Sequence, residues 1–191
     1  MSRNLLIVLS GPSGVGKGTI IEKLLKRGDY ALSVSCTTRE AREGEVNGVS
    51  YHFVRHNEFE KLIEENGFLE YSNHFGNYYG TPRAFVEEQL GLRDVILEIE
   101  VDGALNVKTA HPEALLIMIL PPDENELRAR LKKRGSESER KIEERVKRME
   151  YELSKRDKYD YAVINDDVDR AVVEIENIVK ENKNKPGKEQ I

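Results

Sequence analysis

The sequence predicts an α/β fold in three layers, a parallel five-stranded sheet between helices, with a mixed α+β insert breaking into it. Three observations predict it. Continuous apolar runs recur at Leu5–Leu9, Ala31–Val34, Val95–Val101, Leu115–Leu120 and Tyr161–Ile164, each the length of a buried strand. Helical stripes alternate with these runs, which is how a parallel sheet covered on both faces is written in sequence. Between about residues 35 and 93 the apolar residues thin out and aromatic ones gather: Tyr51, Phe53, Phe59, Phe68, Tyr71, Phe75, Tyr78, Tyr79 and Phe85.

The elements follow in order. After the first run comes GPSGVGKGT, then a helix whose face is Ile20, Ile21, Leu24 and Leu25 and which Gly28 stops. In the aromatic region, pieces such as VSYHFV alternate like antiparallel strands, and Asn57-x-x-Glu60 opens a short helix ended by Gly67. A capping box, Ser136-x-x-Glu139, precedes the stripe Ile142, Val146, Met149, Leu153. Ala171, Val172, Ile175, Ile178 and Val179 mark the last helix, and KENKNKPGKEQI reads as a polar, frayed tail. With right-handed crossovers and the first strand central, the core strands are expected at 5–10, 31–36, 95–101, 115–120 and 161–165, in the order 2-3-1-4-5.

Composition bounds the function. At 191 residues and 21.9 kDa, 38% hydrophobic and 34% charged, the chain suits one ordinary domain with a real core. Its 35 acidic and 30 basic residues give a net charge of −5, the wrong balance for a general nucleic-acid binder. The longest apolar stretch, Leu115–Leu120, is far below the ~18 residues of a membrane span, so no membrane partner is expected. The opening apolar run is too short for a signal-peptide core. A single cysteine, Cys36, excludes an internal disulfide and a multi-cysteine metal site, and a reducing, cytoplasmic compartment is the expectation. A monomer or small homo-oligomer is expected. Locally, Glu126–Lys158 carries 13 basic and 8 acidic residues, a +5 segment that suits an anionic ligand or is simply a solvated helix face.

The strongest motif is the loop itself. Gly11, Gly16 and Lys17 have the G-x-x-x-x-G-K spacing of a phosphate-binding loop, behind a strand and ahead of a helix. Backbone N–H groups must point inward at phosphate oxygens, and glycine permits the angles and the close approach. The helix adds its positive end and Lys17 a mobile charge. The candidate triphosphate site is thus Gly11, Pro12, Ser13, Gly14, Val15, Gly16, Lys17, Gly18 and Thr19. Gly18 stands where a Ser or Thr usually ligates Mg²⁺, with the hydroxyl one place later at Thr19. The ion is then expected on nucleotide phosphates, waters and a remote carboxylate. The loop alone leaves open a small-molecule kinase, a GTPase, an ATPase or a nucleotide-binding scaffold.

Three further segments resemble the guanylate kinase family: SVSCTTREAREGEVNGVSYHF (33–53), GNYYGTP (76–82) and LEIEVDG (97–103). With the loop and RGSESERKIEER (134–145), the resemblance runs over residues 4–182. It implies a P-loop NTPase core (1–34, 94–125 and 159–182), a GMP-binding insert (35–93), a helical lid with flanking helices (126–158) and a tail (183–191). The implied reaction is ATP + GMP ⇌ ADP + GDP, in purine nucleotide metabolism and GMP recycling, with Mg²⁺ accompanying ATP. Carried over position by position, Arg39, Arg42, Tyr51 and Tyr79 grip the GMP phosphate, and Ser35, Glu70, Thr81 and Glu98 meet guanine. Lys17, Arg134 and Arg145 are the implied catalytic charges, with Arg130 one turn before Arg134. Glu100 is the implied carboxylate near Mg²⁺, through water; the family often has Asp at both 98 and 100, so which acid faces which group stays open.

The residue types suit that chemistry. Guanidinium forks bind a phosphate dianion bidentately, and a carboxylate accepts guanine's N1–H and amino donors while a hydroxyl donates to O6. The nucleophile is an ionised phosphate oxygen, so alignment and charge neutralisation suffice without a general base. Blander alternatives stand beside these roles. Thr81 before Pro82 is also a good helix N-cap, Glu70 a strand-edge acid, Tyr78 and Tyr79 core aromatics, and Arg39 and Arg42 a surface pair. Two rival functions remain: a phosphotransferase for another acceptor such as AMP or a sugar phosphate, and a non-catalytic scaffold.

Overall fold

Strand β1 (Leu6–Ser10) takes the middle of the sheet because its side chains are apolar on both faces. Leu5, Ile7 and Leu9 point to one layer, with Ile20, Ile21 and Leu24 of helix α1 (Lys17–Arg27). Leu6 and Val8 point to the other. A strand buried on both sides cannot alternate polar and apolar residues, so the continuous run is the expected signature. In the computed structural model, residues 3–185 are described apart from 75, 124, 126 and 128–138.

The five-stranded sheet has the order β2-β7-β1-β8-β9, with β2 at Tyr30–Ser33, β7 at Asp94–Glu98, β8 at Leu115–Leu120 and β9 at Tyr161–Ile164. Every pairing is parallel. Among core strands alone this is the order 2-3-1-4-5. Two runs end earlier than their apolar character suggests. After Ser33 the chain leaves this sheet, and Cys36–Thr37 belong to strand β3 of a second one. After Glu98 it turns, and Val101, buried, already opens helix α4 (Val101–Ala110). Gly28 does end α1, its N–H bonded to Leu24 O at 3.0 Å, in extended rather than left-handed backbone (φ −137°). A Cβ there would lie 2.3 Å from the Tyr30 ring, so packing fixes that glycine.

The second sheet, β4-β3-β6-β5, is the insert. It comprises β3, β4 (His52–Phe53), β5 (Phe68–His74) and β6 (Asn77–Pro82). β6 pairs antiparallel with β3 and β5, but β4 lies parallel to β3, against the antiparallel expectation. The long connection between Thr37 and His52 permits that return in the same direction. Phe59 of helix α2 (His56–Glu64) stacks on Phe68 at 4.2 Å and on Tyr78 at 5.1 Å, giving the insert its own small core. The helix begins one residue earlier than Asn57: the N–H of Arg55 donates to Glu58, which closes the first turn in place of Glu60.

Helix α3 (Arg83–Leu90) returns the chain to the sheet. Helix α5 (Glu139–Leu153) buries Val146 and Met149 against Leu127 and Leu153. Ser136, half of the expected capping box, lies outside the described residues. Helix α6 (Val168–Asn184) is capped by Asp167, which accepts from Arg170 N at 2.9 Å, and it buries the five apolar residues of its stripe. It also runs further than the polar tail suggested. Lys183 pairs with buried Asp94 at 2.7 Å and Asn182 donates to Tyr161 OH, so side-chain anchors hold the last turn down.

Candidate active site

The loop after β1 is shaped by its glycines. Gly11, Gly14 and Gly16 have φ of 142°, 86° and 96°, which L side chains rarely adopt. A Cβ at Gly11 would stand 2.2 Å from Ile119 O of β8, and one at Gly16 2.6 Å from the Asn165 amide. Asn165, buried beyond β9, pins the loop by donating to Val15 O at 2.7 Å. Gly18 differs, because its missing Cβ would face open space. Lys17 turns back over the loop and donates to Gly11 O at 2.7 Å and Pro12 O at 3.2 Å. A cavity of about 430 Å³ lies in front, lined by Ser13, Gly14, Gly16, Lys17, Gly18, Thr19, Glu22 and Glu98. Pro12 and Val15 are buried beneath it.

The insert gathers a second cationic and aromatic cluster. Arg39 lies over the Tyr51 ring at 5.5 Å and the Phe53 ring at 5.9 Å, and is hydrogen-bonded to Tyr79. Tyr51 meets Tyr79 edge-on at 6.0 Å. Both forks of Arg39 are taken by Glu45, at 2.9 and 3.0 Å, and Glu45 also accepts from Arg42 N at 2.7 Å. A carboxylate with two oxygens on one guanidinium and a backbone N–H beside them is the geometry a phosphate would take. Arg42 contributes its backbone here, and its side chain is exposed. Burial raises the Tyr51 hydroxyl above its ordinary pKa, and the charges of Glu98 and Tyr79 add to that.

Deeper in the insert, Glu70 and Thr81 face each other across β5 and β6. The Thr81 hydroxyl donates to Glu70 Oε1 at 2.7 Å; Glu70 is 7% exposed and Thr81 fully buried. Burial pushes the Glu70 carboxyl up to about 7, against the two Thr81 hydrogen bonds that favour its charged form. Thr81 is therefore not a helix cap. β6 continues through Pro82, which is itself the N-cap of α3. Tyr78 and Tyr79 divide by strand alternation, Tyr78 into the insert core and Tyr79 toward Arg39. Ser35, also buried, accepts from His52 N at 2.9 Å through its carbonyl, at the mouth of the insert.

The two acids of LEIEVDG go different ways. Glu98 lines the loop cavity. Glu100, the N-cap of α4, points to Arg148 of α5 at 3.6 Å. Arg148 also donates to Asp102 at 3.0 Å and Glu152 at 3.3 Å, and Tyr151 OH donates to Asp102 at 2.8 Å. Glu152 is 5% exposed, and its Oε2 has no hydrogen-bond partner among the described residues. Burial raises its pKa, while Lys17 and Arg148 favour the charged form. Arg130 and Arg134 lie outside the described residues. Arg145 is on α5, but its side chain is not among those described.

Sequence reasoning missed Glu45, Arg148, Glu152, Asn165 and the packing role of Gly103. Only the i,i+4 spacing of Arg148 and Glu152 was a usable signal, and it is shared by ordinary surface pairs. Glu45 sits in an acidic, exposed stretch where a carboxylate looks solvated.

The comparisons agree with this geometry. The family model described as guanylate kinase matches residues 3–182. A guanylate kinase of Clostridium tetani is 50% identical over 184 residues, covering 96% of this chain and 88% of the relative. One of Bacillus subtilis is 50% identical over 180 residues, covering 93% and 88%. The crystal structure of guanylate kinase from Anaplasma phagocytophilum superposes with a TM-score of 0.81 at 33% identity, over 96% of this chain and 88% of that one. With a glycine-rich loop after the first strand, an arginine–tyrosine cluster in the insert, and matches that span nearly the whole chain, this protein belongs to the guanylate kinase family.

Proposed function

We propose that the loop 11–19 holds the phosphates of ATP and that the insert holds GMP, so that the terminal phosphoryl group passes from one to the other. The observation that carries this division is the Arg39–Glu45 pair. An internal carboxylate occupies, bidentately, a guanidinium fork placed between Tyr51 and Tyr79, as an acceptor phosphate would. Behind it, the buried Glu70 offers a carboxylate to a base edge, with the Thr81 hydroxyl spent in holding its Oε1. Guanine presents two donors, N1–H and the 2-amino group, next to the O6 acceptor. Adenine at the same edge would leave the Glu70 carboxylate opposite a ring nitrogen and unpaired.

Lys17 is the loop's mobile cation: its ammonium group, held over the loop on Gly11 O and Pro12 O, would turn to the transferring phosphoryl group. Arg134 and Arg145 would add charge from the lid at 126–158, and closure of insert and lid would exclude water. Among the described residues no three His, Cys, Asp or Glu side chains converge as a metal site. Mg²⁺ would be carried on nucleotide phosphates and waters, where it neutralises their charge. Against the expectation that gave this role to Glu100, we assign the ion's water shell to Glu98, a reading supported by its position on the loop cavity and by the pairing of Glu100 with Arg148. A reducing, cytoplasmic setting in purine metabolism fits the one buried cysteine, Cys36.

The test is a coupled ADP-release assay with ATP and Mg²⁺, offering GMP, AMP and a sugar phosphate in turn. Turnover with GMP alone is expected. Equal turnover with AMP, or none with any acceptor, would reject this function.

A further inference from the structure

Gly103 has no conformational reason to be glycine. It lies inside α4, buried, with no positive φ, in a position where glycine is the poorest helix former except proline. What crowds it is one group. A Cβ built on Gly103 would lie 2.8 Å from Glu70 Oε2 and 3.3 Å from Glu70 Cδ, and the next atom, Ile99 Cδ1, is at an ordinary 3.6 Å. The other oxygen, Oε1, is held by the Thr81 hydroxyl at 2.7 Å. The carboxylate is thus fixed on one side by a donor and given room on the other by a missing methyl group.

We infer that Gly103 is a positioning residue for acceptor specificity: its bare Cα lets the Glu70 carboxylate lie where both its oxygens meet the base of the acceptor nucleotide. The inference rests on the proposal that Glu70 reads guanine. A methyl group at 103 must displace something, and the free end of a side chain yields before helix backbone does. Oε2 would swing about the Thr81-held Oε1 and lose alignment with one of the two guanine donors. The fold pays little for this, since alanine is the better helix former.

The experiment is Gly103→Ala with steady-state kinetics on GMP and on inosine monophosphate, which is the same nucleotide without the 2-amino donor. One misaligned hydrogen bond in a desolvated site predicts a rise in the GMP KM of about tenfold, with kcat at saturation falling less. The preference for GMP over inosine monophosphate should shrink. ATP affinity without acceptor, and Tm, should be unchanged or slightly raised. In a Glu70→Asp background, where the shorter acid leaves room for the methyl group, Gly103→Ala should cost almost nothing. An unchanged GMP KM, an equal loss of ATP affinity, a lowered Tm or a full effect in the Glu70→Asp background would each overturn the inference. Glu70→Gln separates the two levels. If it loses GMP while Gly103→Ala does not, only the role of Gly103 fails; if Glu70→Gln itself leaves GMP kinetics intact, the base is read elsewhere.

Discussion

In the proposed division of the molecule, the loop and the insert hold the same chemical group, a phosphate, by opposite means. The loop is nine consecutive residues, and its tools are backbone angles: three glycines at positive φ, two of which also meet Ile119 O or Asn165 too closely for any Cβ. The insert draws on side chains from Arg39 to Thr81, and a four-stranded sheet with its own aromatic core brings them together. A backbone cradle tolerates most side-chain changes and fails at its glycines. A side-chain cluster fails one residue at a time, each with its own signature. Single substitutions therefore separate the two regions.

The largest effect is expected at the one loop side chain that carries charge. Lys17→Ala leaves the cradle's backbone in place and removes the cation that the proposal sets against the transferred group. Turnover should fall by about 10²–10³, mostly in kcat, since the charge it offsets is redistributed in the transition state. A near-normal kcat measured at saturating ATP and GMP would mean the loop binds without catalysing.

Next comes Arg39→Ala. It deletes a bidentate, charge-assisted contact, so the GMP KM should rise by roughly 10–10², with a smaller fall in kcat. ATP binding measured without GMP should be intact. If ATP weakens as much as GMP, the two regions are not the separate sites contrasted here.

Glu70 sharpens the comparison through pH. Burial holds its carboxyl at about 7, so near neutrality the empty pocket is partly protonated. Only the charged form accepts both guanine donors, so kcat/KM for GMP should rise as pH passes upward through about 7. The phosphate of GMP also titrates near pH 6, and Glu70→Gln provides the control: it keeps the phosphate step, loses the Glu70 step, and lowers kcat/KM by about tenfold or more. The stability sign is opposite. The folded carboxyl keeps its proton to a higher pH than the ordinary 4.5, so this residue costs stability increasingly from pH 4.5 to about 7. Glu70→Gln should therefore gain Tm relative to the parent over that window.

The same contrast explains what could be read from sequence. The loop was legible because a backbone cradle prints its constraint as glycine spacing, and the sheet because strands buried on both faces print continuous apolar runs. The insert was legible as an α+β region from its gathered aromatic residues, but the roles of its side chains only through resemblance. Nothing local distinguishes Tyr79 from Tyr78, and strand alternation around Phe59 is what sends one to Arg39 and the other to the core. Thr81 looked like a cap because Pro82 follows it, yet pairing with β5 keeps the strand going through both. Gly103 acts through Glu70, 33 positions away, so no short pattern contains that relation, and Glu45 lies six residues from Arg39 in a loop with no periodicity to single out that acid from its neighbours. Parallel β3 and β4 were hidden for the same reason, since alternation in VSYHFV reports burial and says nothing about direction.

The smallest effect should come from a contact that belongs to neither region. Arg148 on α5 ties Glu100 and Asp102, at the start of α4, to buried Glu152 near Lys17, and it lies over the Tyr151 ring at 4.8 Å. It is half-buried, so solvent screens part of each interaction, and Arg148→Ala should cost only about 1 kcal/mol at neutral pH. The pH dependence is the diagnostic. Burial holds the Glu152 carboxyl above its ordinary 4.5, and Arg148 opposes that. Without Arg148 the folded pKa climbs further, so the folded state keeps its proton over a wider range. The stability lost on raising the pH from 4.5 then grows. The gap between parent and variant should be smallest near pH 4.5, where the Asp102 and Tyr151 contacts alone separate them, and should widen as pH rises, with kcat changing less than in either Lys17→Ala or Arg39→Ala. A Tm gap independent of pH would mean that Arg148 contributes packing through its stem and not charge to Glu152. A fall in kcat as large as that of Lys17→Ala would move Arg148 into the phosphoryl site itself.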